Sequence, residues 1–178
     1  MIGSHINTAR RTRRPAATLV EGAFVISLFL LFMFGIFEYA RYLMFLHVAT
    51  NAVRDSARYA SVNVDKPSTF PTADYTSGTV VYPSITSYCK NRLAGIDSML
   101  DAGYSINVFP CDPASLAQTP PVVAPLGGAI GATPWNNAAF TDRICVQLTG
   151  TYRMVLPSFL YANPTINVNI TSVIGSEG

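Results

Sequence analysis

The sequence predicts an α+β fold in which one long N-terminal helix packs on a small antiparallel sheet with a second helix. Three observations carry this. The run from Gly22 to Phe37 reads GAFVISLFLLFMFGIF without a charge. The next stretch, Glu38 to Val62, contains neither glycine nor proline and keeps its apolar residues at helical spacing. Three segments of the C-terminal half then alternate apolar and polar residues, as half-buried antiparallel strands do.

The N-terminal elements come first. Sixteen uncharged residues give roughly 24 Å of helix, and flanking apolar residues bring it to a ~30 Å hydrocarbon core. A cleaved secretory signal would have a shorter apolar run ending at a small-x-small site. This run is longer, carries Glu21 at its start and leads directly into more helix, so residues 17–40 are expected to stay as a transmembrane helix. Arg10, Arg11, Arg13 and Arg14 stand immediately before it and Arg41 alone stands close behind it. That asymmetry keeps the N-terminus in the cytoplasm and places the rest outside. Residues 41–66 continue as an amphipathic helix, with Tyr42, Leu46, Ala49, Val53, Ala57 and Ala60 on one stripe and Asp55 and Arg58 spaced to pair on the polar face. Asp65-Lys66-Pro67 ends it, because the residue before a proline is pushed out of the α region. From Ala17 to Val62 the helix spans about 69 Å.

Residues 67–178 form the expected extracytoplasmic head. After an extended connection, Thr79 to Tyr82 reads as a short edge strand. A second helix is expected over Ser84–Leu100, with Ser84 as N-cap, Gly103 as terminator, and Ile85, Tyr88, Cys89, Leu93, Ile96 and Leu100 as its apolar positions. The three strands are Tyr104–Cys111, Ile144–Val155 and Thr165–Ile174. Asp112–Asp142, with five prolines and Gly127-Gly128, is the long loop between the first two, and loops of that length are usually functional or mobile.

Composition excludes several functions. Of 12 basic residues four sit in the leader, and the 178-residue chain has 10 acidic ones, so the head is near neutral and lacks the clustered cations that bind nucleic acid. No metal site is expected from three cysteines without a CxxC pair and two histidines, nor is a catalytic set assembled. Outside the cytoplasm one disulfide plus one spare thiol is the natural outcome. If the first two strands form a hairpin, Cys111 ends one and Cys145 begins the other, which favours that pair over one with Cys89. Gly127 to Gly131 follows no strand and lacks a P-loop lysine, so it reads as flexible linker. His47 reads as a packing or interfacial residue, and the Asn169 sequon falls inside a strand.

The stretch Pro15-Ala16-Ala17-Thr18-Leu19-Val20-Glu21 is the most informative. A carboxylate at the head of an apolar helix costs a few kcal/mol in lipid unless it is paired or reaches water. The whole opening, RRPAATLVEGAFVISLFLLFMFGIFEYARYLMFLHVATNAVRDSARYAS, resembles the TadE-like family of the tight-adherence (Tad) pilus system. The closing ICVQLTGTYRMVLPSFL and INVNITSVIGSE resemble the family's last strands. The resemblance implies a pilin-like fold and a basic leader, residues 1–16, cut by a prepilin peptidase between Ala16 and Ala17. It also puts Glu21 at the fifth mature position, where it would pair with the first amine of a neighbouring subunit. The family usually carries glycine before the cut, and Ala16 after Pro15 departs from that.

The expectation is a minor pilin or pseudopilin acting in assembly or tip priming of an adherence pilus. It would sit in the inner (cytoplasmic) membrane with other pilins, the assembly machinery and lipid as partners. No enzyme activity, cofactor, nucleic acid or small-molecule substrate is expected. The alternative is a single-pass anchor that presents a binding or adhesin module with no pilus role and keeps its leader.

Overall fold

The computed structural model describes residues 14–138, 142–155 and 165–176, with side chains from Thr18 onward. The chain divides into two compact units, Met1–Ala40 and Arg41–Gly178. Helix α1 covers Arg14–Val62. Its start lies three residues before the expected Ala17, and its end falls on the expected Val62. In the first unit this helix shows apolar residues on every side, with Leu19, Phe24, Phe32 and Ile36 all more than half exposed.

The second unit is built on the small-residue face of α1. Ala49, Ala52, Val53, Ser56, Ala57 and Ala60 are at most 2% exposed, and Phe45 is fully buried. Alanine and serine let the helix approach its neighbours closely, while the aromatics above fill the wider gap. Tyr152 lies 5.1 Å from the Tyr42 ring and 5.4 Å from the Phe45 ring. The Arg41 guanidinium sits over Tyr152 and donates to the Arg153 carbonyl at 2.6 Å. The expected stripe therefore faces the core, widened by Phe45, Ala52 and Ser56. Asp55 does not pair with its helix neighbour Arg58. It faces Arg92 of the second helix at 3.8 Å.

Two short strands follow, β1 (Tyr75–Ser77) and β2 (Val80–Tyr82), paired antiparallel with Ser77 opposite Val80. The expected edge strand is thus one arm of a hairpin, closed over Gly78 at φ 61°. Helix α2 covers Ile85–Leu93, and the Ser84 hydroxyl caps it by accepting from the Ser87 N–H. It stops well before the expected Leu100. Ala94 and Gly95 both take left-handed backbone, with φ of 53° and 85°, and a 3₁₀ turn over Ile96–Met99 follows. The helix ends at Ala94, in left-handed backbone, rather than near Gly103.

The sheet has the order β3-β4-β5, antiparallel throughout: β3 is Ser105–Pro110, β4 is Arg143–Arg153 and β5 is Thr165–Gly175. Each lies within one or two residues of its expected span. Ile144, Val146, Leu148 and Val168 are buried on the face toward α1, with Ile166 and Ile170 partly so. The opposite face carries Ser105, Asn107, Gln147, Thr149, Asn167 and Asn169, linked by bonds such as Ser105 Oγ to Thr149 Oγ1 at 2.8 Å.

The stretch between β3 and β4 is more ordered than an open loop. A short helix, α3 (Pro113–Leu116), is capped by Asp112, and Trp135 is 2% exposed in the main core. The indole N–H of Trp135 donates to the Pro67 carbonyl at 3.3 Å, and the Asn136 side chain donates to the Lys66 carbonyl at 3.0 Å. These contacts fold the segment back onto the end of α1.

Candidate functional site

Three groups of residues stood out in the sequence, and the structure places them in two separate units. In the first unit, Ala16 and Ala17 fall in the first turn of α1, on helical backbone. Glu21 lies four residues beyond Ala17, one turn away and on the same side of the helix. It is exposed, and among the described residues it has no hydrogen-bond or ion-pair partner. Apart from Thr18, its neighbours on α1 are apolar or small. Leu19 and Val20 precede it at 73% and 68% exposed, and Phe24 and Val25 follow it. The one polar side chain in the middle of the run, Ser27, returns its hydroxyl to the Ala23 carbonyl at 2.8 Å, as hydroxyls do inside apolar helices.

From Thr18 the helix is long and apolar enough to cross a membrane. An 18-residue window has mean hydropathy 2.4, and none of that window is buried in the protein. A single N-terminal helix of this kind fits a single-pass anchor. Arg10 to Arg13 lie outside the described residues, as do the two connections at 139–141 and 156–164.

In the second unit, Cys111 and Cys145 come together with Cα atoms 5.9 Å apart and their sulfurs in bonding contact. They are not direct cross-strand partners. Cys145 stands opposite Phe109, and Cys111 lies one step past the end of β3, bridged to Pro125. The two are diagonal neighbours, both lying beside Phe109 under Leu116, Val123 and Val173. This small apolar cluster covers one end of the sheet's outer face, which explains why Cys145 is buried at a position that alternation assigns to solvent. Cys89 sits elsewhere, fully buried on α2. Burial pushes its thiol pKa up, and the hydrogen bond with Ser56 offsets part of that.

Among the described residues no group of three His, Cys, Asp or Glu side chains is gathered as metal ligands would be. His47 is exposed on α1. Sequence reasoning missed the aromatic contact between α1 and α2. Tyr59 and Tyr88 stack at 4.3 Å with an 8° interplanar angle, and Arg92 lies over Tyr88 while bonding its hydroxyl at 2.8 Å. Both tyrosines were legible as helix residues, but nothing in the sequence pairs two distant ones.

No curated protein and no solved structure matches the chain. The model of the family described as TadE-like protein matches residues 16–58. That segment holds Ala16, Ala17, Glu21, the apolar run and most of the buried alanine face. The match covers most of the opening on which the resemblance was read.

Proposed function

We propose that this chain is a minor pilin or pseudopilin of a Tad-type IV pilus, a structural subunit that takes part in assembly or tip priming rather than an enzyme. The observation that carries the reading is Glu21: a carboxylate without a partner among the described residues, at the head of an apolar helix, inside the TadE-like match. In this reading residues 1–16 are a cytoplasmic leader and residues 17–40 cross the inner membrane. Residues 67–178 form the outer head, with residues 41–66 joining the two. A prepilin peptidase cuts between Ala16 and Ala17, and the new Ala17 ammonium and Glu21 then stand one turn apart in each subunit. Two charges in lipid satisfy each other between neighbouring subunits only when those subunits stack in one register. The Cys111–Cys145 pair forms the disulfide of the head, as an oxidising compartment permits.

The test is Glu21→Ala and Glu21→Gln, scored by co-purification with pilus partners from membranes and by pilus number per cell. Insertion should be unchanged, because loss of a carboxylate makes an apolar helix easier to insert. Assembly should fail in both, since an amine left unpaired in lipid costs about 3–5 kcal/mol. Wild-type recovery and piliation for both variants would reduce Glu21 to an interfacial carboxylate and favour the anchored-adhesin alternative.

A further inference from the structure

Within the second unit, the end of α1, strand β2 and helix α2 border an open groove of about 420 Å³. Arg58 and Arg92 bring two guanidinium groups to it, and Asp55 brings one carboxylate. Arg92 is already engaged. Its Nε stands 3.8 Å from Asp55, and it donates twice to the Tyr88 hydroxyl, at 3.3 and 2.8 Å. The Arg58 side chain has no hydrogen-bond or ion-pair partner among the described residues. Asp74, which acts on Tyr59 from nearby, accepts from the Ser84 N–H and does not line the groove. The lining therefore carries one positive charge in excess.

A lone arginine on a helix face is ordinarily just solvated. Arg58 differs in its company, because the groove gathers other unspent donors around it. Tyr88 accepts from Arg92, and neither its own O–H nor that of Tyr82 has an acceptor among the described residues. Tyr59, by contrast, gives its proton to the Pro83 carbonyl at 3.0 Å. The rings add to the same polarity. Tyr59 and Tyr88 spend one face on each other, Arg92 lies over Tyr88, and Phe70 packs against Tyr59. What these two offer the groove is ring edge, the electropositive part of an aromatic side chain. Val62, 65% exposed, gives the groove an apolar flank.

We propose that this groove binds an acidic segment of another protein, one Asp or Glu carboxylate lying on Arg58 and a neighbouring apolar side chain against Val62. Charge complementarity selects the occupant. A guanidinium fork matches a carboxylate with two parallel hydrogen bonds, and one excess positive charge is balanced by one negative charge. An acidic sugar would want a bare aromatic face to stack on. Tyr59 and Tyr88 present none, and Lys66 lies over the Tyr82 ring. A nucleic acid would need a row of cations, which the near-neutral head lacks. A peptide supplies both a carboxylate and an apolar side chain.

The experiment uses the full chain in detergent micelles and follows the arginine Nε–H groups by magnetic resonance. The probes are N-acetyl-Glu-Leu-amide, its Gln-Leu counterpart and glucuronate. The first should shift the Arg58 and Arg92 signals saturably, and the other two should bind about tenfold more weakly or worse, as loss of a charge-assisted pair or of the apolar contact requires. Arg58→Gln, at an exposed position that leaves the core untouched, should weaken the first probe by about tenfold with thermal unfolding unchanged. Arg54→Gln, one turn earlier and outside the groove, should leave binding as it was. Four results would overturn the proposal: no saturable shift with the first probe, an equal response to the Gln-Leu probe, glucuronate binding as tightly, or equal loss in Arg54→Gln. A dimer in light scattering that Arg58→Gln dissociates would also overturn it, by giving the groove to a second copy. None of these readouts involves pilus proteins or leader cleavage, so the outcome is independent of the pilin reading.

Discussion

Gly150→Ala tests the packing that holds the head together. Gly150 lies in β4 opposite Val168 of β5, and the β3 register carried one step further sets Tyr104 on its other side. A Cβ built at Gly150 would stand 2.7 Å from Tyr104 Cβ, 3.3 Å from Tyr104 Cα and 3.5 Å from Leu100 Cδ2. Facing Cβ atoms in a sheet normally stand about 4.5–5.5 Å apart, so the two chains would have to spread by about 2 Å. The obstructing atoms belong to the chain itself and to a Cβ fixed on it, so rotamer changes give no relief. Overpacking of this kind costs about 1–3 kcal/mol, and the upper half of that range applies here. Alanine also reduces the freedom of the unfolded chain, which returns about 0.4–1 kcal/mol. The clash wins, leaving a net loss of about 2 kcal/mol and a Tm lower by about 8 °C for a unit of this size. The assay is thermal unfolding of the full chain in micelles, followed by circular dichroism. Gly175→Ala is the control, because nothing lies within 4 Å of a Cβ there. A Gly150→Ala Tm within 1 °C of wild type would refute the close approach of β4 to Tyr104.

Two further predictions concern the cysteines. Non-reducing peptide mapping should recover one intrachain bridge, Cys111–Cys145. Across a separation of 34 residues the chain-entropy model gives it about 4 kcal/mol, so Cys111→Ser should lower stability by that order, and a bridge containing Cys89 would contradict the pairing. Cys89, buried and with its thiol pKa raised, should stay unlabelled by iodoacetamide at pH 7 in the folded protein and react on unfolding. Rapid labelling of the native chain would place it outside the core.

Much of the fold was legible because its signals are local and periodic. The Gly22–Phe37 run, the alanine stripe after Glu38 and the alternation in β4 and β5 each repeat over enough residues to fix their element. Boundaries set by single backbone conformations were less so. Ala94 takes left-handed backbone without being glycine, and this ended α2 early against an apolar pattern that ran on to Leu100. The β1–β2 hairpin was missed because three-residue strands carry almost no periodicity, although Gly78 supplied the turn. Trp135 was hidden for another reason. Its place in the core depends on a return contact to Lys66 and Pro67 nearly seventy positions earlier, which no local pattern encodes. At the candidate site, Glu21 was legible as a misfit: a charge in an apolar run is conspicuous. The nearness of Cys111 and Cys145 followed from the hairpin, but their diagonal placement depends on where β3 ends.

A pilin is processed, and an anchored adhesin keeps its leader. Intact-mass and N-terminal analysis of the protein extracted from membranes of its host addresses this directly. The mature chain should begin at Ala17, with cleavage blocked by Ala16→Trp and the uncut form accumulating in the membrane. A membrane-extracted protein that still carries Arg10 to Ala16 would contradict the cleavage site and the pilin reading together.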